Sequence, residues 1–348
     1  MIYVVPFLIL ITIVVFIHEY GHYYFAKRFG VGITDFSIGF GKEIIGWNDK
    51  SGTRWKICWL PLGGYVKFFG DRNVFSQAEQ EKIINNYKKE DKEKLFILKP
   101  LYQRSIIVAA GPLANFVLAI IIFTIINLFV GKDMTPAVID EVKKNSPAFA
   151  AGMKEKDKII SIDNKKVQSI LEVSTFINIS TKETIDFIVI RNNEEIEISV
   201  KPNLVDGKDS LGNSTKRKMI GIKLLTPLNN KFEKKRLGPS KAIYYSFKEV
   251  WFVSTTSLKY IGKMIVGSAD SSQLGGPIRI AKITGQVAEY GIIPFLSIMA
   301  YISISLGLIN LFPIPMLDGG HLMFYLFEKI LQRPLSQKTQ ENFFRIGL

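Results

Sequence analysis

The segment HEYGH, residues 18–22, lies inside an apolar run of about residues 1–26. This run is long enough to cross the hydrocarbon core of a membrane as a helix, and two basic residues, Lys27 and Arg28, follow it directly. A helical spacing of four residues places both histidines on one helix face. The sequence therefore predicts a first transmembrane helix over residues 1–27 that carries a metal site.

The histidine pair also predicts the chemistry of that site. His18 and His22 suit two tetrahedral positions on zinc, and Glu19 between them is placed to take a proton from water. A catalytic zinc needs a third protein ligand, for which Asp318, beside the last apolar run and before two glycines, is the best candidate. His321 is the rival ligand. Two histidines and a carboxylate also suit Fe(II) or Co(II), but the glutamate base favours zinc.

The composition sets the class of protein. Of the 348 residues 47% are hydrophobic, and the net charge is +14. No recognition motif for nucleic acid accompanies this charge, and surplus Lys and Arg in membrane proteins commonly set topology, so we expect no nucleic-acid partner. The single cysteine, Cys58, excludes an internal disulfide and a thiolate metal cluster.

Apolar, glycine-rich and charged stretches alternate along the rest of the chain. Strand candidates at 184–191 and 195–201 indicate a separate soluble domain, which alternating topology places outside the cytoplasm, and the amphipathic stretch at 236–268 either spans the membrane or lies at its surface. The predicted segments after the first helix are a β element at 31–70, a charged cytoplasmic segment at 71–104, a second transmembrane helix at 105–131, the soluble domain at 134–225, an amphipathic helix at 236–268, a third transmembrane helix at 290–320 and an amphipathic tail at 321–348.

Five further segments, together with HEYGH, carry a resemblance to a known protein family. They are FSIGFG at 36–41, PLGGYVK at 61–67, AGPLANF at 110–116, GGPI at 275–278 and NLFPIPMLDGGH at 310–321. Together they resemble the site-2 protease family of zinc intramembrane metalloproteases, in its bacterial regulator-of-sigma-E protease branch, over nearly the whole chain. The resemblance implies a polytopic α-helical membrane protein with a membrane-associated β-hairpin or sheet and an inserted extracytoplasmic PDZ domain.

The resemblance also implies roles for named residues. His18, His22 and Asp318 would bind Zn²⁺, and Glu19 would be the general base. A second group would unwind and hold the substrate, and its members are Asn310, Pro313, Pro315, Gly63, Gly64, Tyr65 and Val66. Asn310 has an alternative role in packing helices together, and the glycine strand is equally compatible with a plain cytosolic hairpin.

The 134–225 domain resembles a single PDZ module around SPAFAAGM at 146–153, although Lys156 stands where a glycine is common. It would capture peptide ends or act as a size filter. A fourth span is expected to begin near residues 343–348, as a truncated last helix.

The sequence thus predicts an enzyme of the bacterial inner membrane. It would make the second cut in regulated intramembrane proteolysis, in single-span membrane proteins such as anti-sigma factors or signal-peptide remnants, with its active site toward the cytoplasm. The alternatives are a membrane-anchored HExxH protease of another clan and an inactive PDZ scaffold of the membrane.

Overall fold

The structure is a computed structural model that describes residues 3–70, 87–180, 182–208, 214–225, 234–266, 276–333, 335 and 343. Its helices are α1 Val4–Arg28, α2 Lys89–Lys92, α3 Leu101–Phe129, α4 Pro147–Ala150, α5 Ile170–Ile179, α6 Pro239–Ile265, α7 Pro277–Glu289, α8 Ile292–Asn310 and α9 Asp318–Leu331, with a 3₁₀ turn at Phe96–Leu98. Its strands are β1 Ile33–Asn48, β2 Arg54–Phe68, β3 Lys132–Asp133, β4 Ile139–Val142, β5 Lys158–Ile162, β6 Lys165–Lys166, β7 Ile185–Arg191, β8 Glu194–Val200, β9 Asn203–Lys208, β10 Ser214–Met219, β11 Ile222–Leu224 and β12 Lys234–Lys235.

Three of the described helices, α1, α3 and α8, are long and apolar enough to cross a membrane. With 25, 29 and 19 residues they reach the length that a hydrocarbon core of about 30 Å requires at 1.5 Å per residue. The predicted fold class, a helical membrane protein with sheet elements and an inserted α+β domain, is confirmed. Part of the charged segment at 71–104 and most of the predicted fourth span lie outside the described residues.

The third span is shorter than the predicted segment of 290–320. Helix α8 ends at Asn310, residues 311–317 are non-helical, and Asp318 begins the new helix α9. Pro313 and Pro315 explain the break, because proline has no backbone N–H and its ring clashes with the preceding helical turn. Asp318 therefore stands at the start of a helix, instead of in an Asp-Gly-Gly turn at the end of one.

The glycine-rich segment after α1 forms two long antiparallel strands, β1 and β2. Residues 35–38 of β1 have Cα partners in both halves of β2, at 54–57 and at 64–67, so this part of β1 lies between them. The sheet packs on α1 through a buried cluster in which Phe36 stacks on Trp55 with ring centroids 4.2 Å apart. The buried members of the cluster are Tyr23, Ala26, Val31, Ile33, Phe36 and Ile107.

One helix of this part of the chain was not anticipated. Helix α7 begins at Pro277 after the N-cap Gly276, an arrangement common at helix starts because proline needs no N–H donor there. A Cβ placed on Gly285 in α7 would meet the ring and backbone of Tyr3. This close approach seats α7 on the beginning of α1. Gly275 of the GGPI segment lies outside the described residues.

The chain divides into two compact units. One consists of Met1–Phe123, Ser246–Ser254 and Gly276–Leu348, and the other of Thr124–Tyr245 and Thr255–Gly275. The second unit contains an antiparallel sheet in the order β6-β5-β7-β8 with buried side chains from Ile159, Ile162, Phe187, Val189 and Val200. Strands β7 and β8 agree with the two predicted strands to within about a residue at each end.

Candidate metal centre

Helix α1 supplies two of the candidate metal ligands. His18 and His22 are one helical turn apart, and their Nε2 atoms point at each other across 3.2 Å. His18 is only 7% exposed, so the pair lies in the interior and not on the lipid-facing or solvent-facing surface of the helix. Two buried imidazole nitrogens this close need a shared partner, which is either a proton or a cation.

The third candidate ligand comes from the far end of the chain. Asp318, the first residue of α9, places its Oδ2 3.2 Å from Nε2 of His18 and its Oδ1 3.5 Å from Nε2 of His22. The ligand atoms of the three residues all lie within 4.8 Å of one another. The 300 residues or so between the histidines and the aspartate are thus folded so that three metal-ligating groups converge.

The residues fit a divalent cation. Within the described part of the chain, Oδ2 of Asp318 is buried and has no hydrogen-bond donor, although the ring of His18 is close to it. Nδ1 of His22 lies 2.9 Å from the carbonyl oxygen of Ile107. A carbonyl only accepts, so this nitrogen carries the proton and Nε2 keeps its lone pair for a metal. Two imidazoles and one carboxylate form a known protein ligand set of catalytic zinc, in which water takes the fourth position.

Helix α3 forms the wall behind the histidines. Where a Cβ would stand on Gly111, the structure has the imidazole ring of His22. One turn earlier on the same helix is Ile107, whose carbonyl holds Nδ1 of that ring. In the AGPLANF segment, Gly111 thus leaves space that a side chain would fill, and the ring of His22 lies there against the helix backbone.

Glu19 faces a different neighbour from the histidines. Successive helical residues are rotated by about 100°, so Glu19 lies on the face of α1 beside His18. A Cβ placed on Gly64 of β2 would be 3.4 Å from Cγ of Glu19. Nearby, Oγ1 of Thr12 donates to the carbonyl of Pro61 at 3.2 Å. The second half of β2 therefore runs alongside the glutamate.

An ion pair fixes the helix that carries Asp318. Nη2 of Arg104, near the start of α3, lies 2.6 Å from Oε1 of Glu328 in α9, and Nη1 lies 3.2 Å from Oε2. Both side chains are mostly buried, and the guanidinium also stands 5.0 Å from the ring centroid of Tyr325. A two-point contact of this kind restrains rotation of α9 against α3. Sequence analysis missed it, since no local pattern links residues so far apart.

The other predicted site residues are not gathered at the three ligands. Asn310 ends α8, and among the hydrogen bonds of the described residues none joins it to His18, His22 or Asp318. Pro313 is exposed and Pro315 half-buried in the non-helical stretch. The cluster of ligand atoms leaves out His321, whose ring packs edge-on against Phe324 at 6.4 Å between centroids. Gly63, Tyr65 and Val66 lie with Gly64 in β2.

Comparison with known proteins places the chain in a family. The model of peptidase family M50 matches residues 6–348. A protein of Agrobacterium fabrum, provisionally named a zinc metalloprotease, is 40% identical over 346 residues, which are 99% of this chain and 91% of that protein. Metalloprotease MmpA of Caulobacter vibrioides is 34% identical over 370 residues, covering 100% of this chain and 92% of the relative.

Among solved structures, the PDZ domain of an SdrC-like protein from Listeria monocytogenes is 22% identical and covers 27% of this chain and 90% of its own, with a TM-score of 0.20. A TM-score this low does not show that the two chains share a fold. The family match and the curated relatives confirm the resemblance noted in the sequence. The chain belongs to peptidase family M50, the site-2 protease family, and is a zinc metalloprotease.

Proposed function

We propose that the protein is an intramembrane endopeptidase in which His18, His22 and Asp318 hold the zinc ion and Glu19 is the general base. The observation that carries this proposal is the convergence of the three ligand atoms within 4.8 Å. The two histidines belong to a helix that is long and apolar enough to span a membrane. A buried ligand set on such a helix has no structural role that would offset the cost of its polar atoms in lipid.

The chain's own residues account for the proton transfers. Zinc supplies the Lewis-acid chemistry that lets water attack a peptide carbonyl near neutral pH. Glu19 is next to the ligand His18 in the chain and faces the strand β2, so its carboxylate takes the proton of the attacking water and passes it to the leaving amine. The carbonyl of Ile107 and the backbone at Gly111 hold the ring of His22 in place throughout.

Strand β2 offers a place for an extended substrate. Its residues 64–68 pair with 33–38 of β1 along one edge, and among the described strands none pairs with the other edge. A helical peptide bond is shielded by its own hydrogen bonds, so a transmembrane substrate must unwind before it is cut. We propose that the unwound segment adds to the free edge of Gly63, Gly64, Tyr65 and Val66, where it passes Glu19.

The non-helical stretch after α8 would also contact the unwound substrate segment. Asn310, Pro313 and Pro315 lie at the end of α8 and in the non-helical stretch before Asp318. Among the hydrogen bonds of the described residues none involves the side-chain amide of Asn310, so this amide is available to hold a substrate backbone. We propose this residue as a substrate contact.

The proposal is tested with a labelled single-span substrate in detergent. Wild type, Glu19→Gln and the control Glu43→Gln are compared for cleavage, and the zinc content of each is measured. Glu43 lies on β1 in an exposed ion pair with Arg54, so its replacement removes the same charge away from the candidate site. We expect all three to hold about one zinc per chain, and only Glu19→Gln to lose cleavage.

Three results would lead elsewhere. Zinc binding without any cleavage by wild type would favour an inactive scaffold. Cleavage only in loops outside the span would favour a membrane-anchored protease of another kind. Undiminished cleavage by Glu19→Gln would remove the glutamate from the mechanism.

We further propose the bacterial inner membrane as the location and single-span stubs, already shortened by a first protease, as substrates. The bacterial relatives support this location. The basic residues Lys27 and Arg28 at the end of α1 support an orientation in which α1 ends in the cytoplasm and the α+β domain lies outside it. Labelling of single cysteines introduced at exposed Lys50 and exposed Glu194 from either side of the membrane tests it. We also propose that this domain binds peptide ends, which titration with C-terminal peptides of the substrate would show.

A further inference from the structure

Asn115 on helix α3 is a buried polar residue whose role the proposed mechanism leaves open. It is 0% exposed, and its amide nitrogen Nδ2 lies 3.2 Å from Nδ1 of His18. Its other amide atom, Oδ1, is buried and has no hydrogen-bond partner among the residues that the structure describes. A fully buried amide beside a candidate metal ligand calls for an explanation.

The chemistry of the histidine supplies that explanation. An imidazole that binds a metal through Nε2 must carry its proton on Nδ1. Nε2 of His18 faces Asp318 and His22, so its Nδ1 is the atom that needs an acceptor when a metal is bound. Amide oxygen and nitrogen are nearly isosteric, and a half-turn of the Asn115 side chain puts Oδ1 at the place where Nδ2 now stands.

The two ligand histidines then have equivalent support from one helix. His22 gives its Nδ1 proton to the backbone carbonyl of Ile107, and His18 gives its own to the side chain of Asn115, two turns further along α3. The backbone of Asn115 lies inside helix α3, and its carbonyl oxygen also accepts a hydrogen bond of 2.9 Å from the buried Oγ of Ser303 in α8. The helix itself holds the backbone of Asn115 in place, so only the amide has to turn.

We propose that Asn115 is a positioning residue of the metal centre: its amide oxygen accepts the Nδ1 proton of His18 and thereby fixes the tautomer and ring plane that bind zinc. This inference rests on the proposed role of His18 as a ligand. Partners of this kind behind a metal-bound histidine contribute about 10–100-fold to metal affinity.

The test measures zinc affinity of the full-length protein in detergent by competition with a chelator. Asn115→Leu keeps the volume and removes the hydrogen bond. Asn115→Asp keeps the acceptor and removes the donor, so it retains affinity only if Nδ1 of His18 carries the proton. Ser303→Ala is the structural control, since it removes a buried hydrogen bond from the backbone of Asn115 and leaves the amide untouched.

We expect Asn115→Leu to lose about 10–100-fold in zinc affinity, Asn115→Asp to bind at least as tightly as wild type, and Ser303→Ala to bind as wild type. The visible spectrum of bound Co²⁺ should change in Asn115→Leu and be restored in Asn115→Asp. Wild-type affinity in Asn115→Leu, or a loss in Asn115→Asp as large as in Asn115→Leu, overturns the inference.

Two further comparisons keep the test decisive. If Asn115→Leu does not fold, Asn115→Asp decides alone, and a tenfold loss there contradicts the proposed acceptor role. His18→Ala separates this inference from the proposed function. Unchanged zinc binding in His18→Ala removes the proposed site itself, whereas a loss in His18→Ala together with unchanged binding in Asn115→Leu removes only the role of Asn115.

Discussion

The imidazole of His22 occupies the space in which Gly111 would carry a Cβ, so the ring lies against the backbone of α3 with no side chain between them. A methyl group at this position overlaps Nε2 of the ring, the atom that is proposed to bind zinc. We therefore expect Gly111→Ala to displace the ring by about 1 Å, and a misplacement of this size costs about 100-fold in kcat/KM.

The matched control for this substitution is Gly262→Ala. Gly262 lies inside helix α6, and no atom of the described residues stands within 4 Å of the place of its Cβ, so alanine there only removes the helix penalty of glycine. Cleavage rate and zinc affinity are measured for both variants. Equal activity of Gly111→Ala and wild type would show that the ring of His22 has more freedom than its contact with α3 indicates.

The ion pair of Arg104 with Glu328 is expected to stabilise the position of α9. Glu328→Gln keeps the shape of the side chain and removes its charge from a mostly buried two-point contact. Hydrogen bonds to charged groups contribute about 1.5–3 kcal/mol, so the melting temperature in detergent should fall by several degrees.

An exposed pair serves as the comparison. Asp91 and Lys94 are 3.1 Å apart on the surface, and pairs of this kind contribute about 0–1 kcal/mol. We expect Asp91→Asn to have the melting temperature of the wild type. Melting of Glu328→Gln at the wild-type temperature would mean that α9 is held by apolar packing alone.

The stability of the α+β unit is expected to depend on pH through Asp157. Its carboxylate is fully buried and lies 2.7 Å from both Nε and Nη2 of Arg191. Burial raises the pKa of Asp157, but the hydrogen bonds from Arg191 and from the backbone of Lys154 outweigh it, and the net pKa lies below its ordinary value. A carboxyl with a lowered pKa stabilises the fold above its unfolded pKa of about 4 and loses this contribution as the pH falls.

Hydrogen exchange of the amides in β5 and β7, in the full chain between pH 7 and pH 3, measures this dependence. Asp157→Asn should cost about 3 kcal/mol at pH 7, because it leaves the guanidinium without its partner, and should flatten the pH dependence. The control is Asp186→Asn, which removes an exposed pair with Lys182 in the same unit. An unchanged pH slope in Asp157→Asn would assign the acid sensitivity to another carboxylate.

Local patterns predicted the local parts of this fold. The spacing of His18 and His22 predicted two imidazoles on one face, and the alternation in residues 184–191 and 195–201 predicted β7 and β8, because in both cases neighbours in sequence are neighbours in space. Asp318 was predicted from its place beside the last apolar run and before two glycines, and the structure brings it to the histidines, although its binding of zinc stays a prediction.

The end of α8 at Asn310 was missed because apolar character continues past it, although Pro313 and Pro315 are a local signal for the break. The amphipathic α7 gave no membrane-like signal. Pairing of residues 35–38 with both halves of β2 is set by the fold, since each pairing is compatible with the same sequence pattern. The support of His22 by the carbonyl of Ile107 has no sequence signal, because any residue offers a carbonyl.

The identity of the third ligand distinguishes this reading of the site from another kind of HExxH protease. Asp318 has an orphaned buried oxygen beside both histidines, whereas His321, one helical turn further along α9, lies outside the cluster of ligand atoms. We expect Asp318→Ala to lose all cleavage and more than about 100-fold in zinc affinity. A loss of about 100-fold is the most that residues hydrogen-bonded to a metal ligand contribute. His321→Ala should keep zinc binding within about tenfold of wild type, as expected for a residue outside the ligand set. Both are measured by chelator competition and by cleavage of the single-span substrate. Full activity of Asp318→Ala with loss in His321→Ala would exchange the two roles, and it would require α9 to shift by about 4.5 Å along its axis and to turn by about 60°, against its ion pair with Arg104.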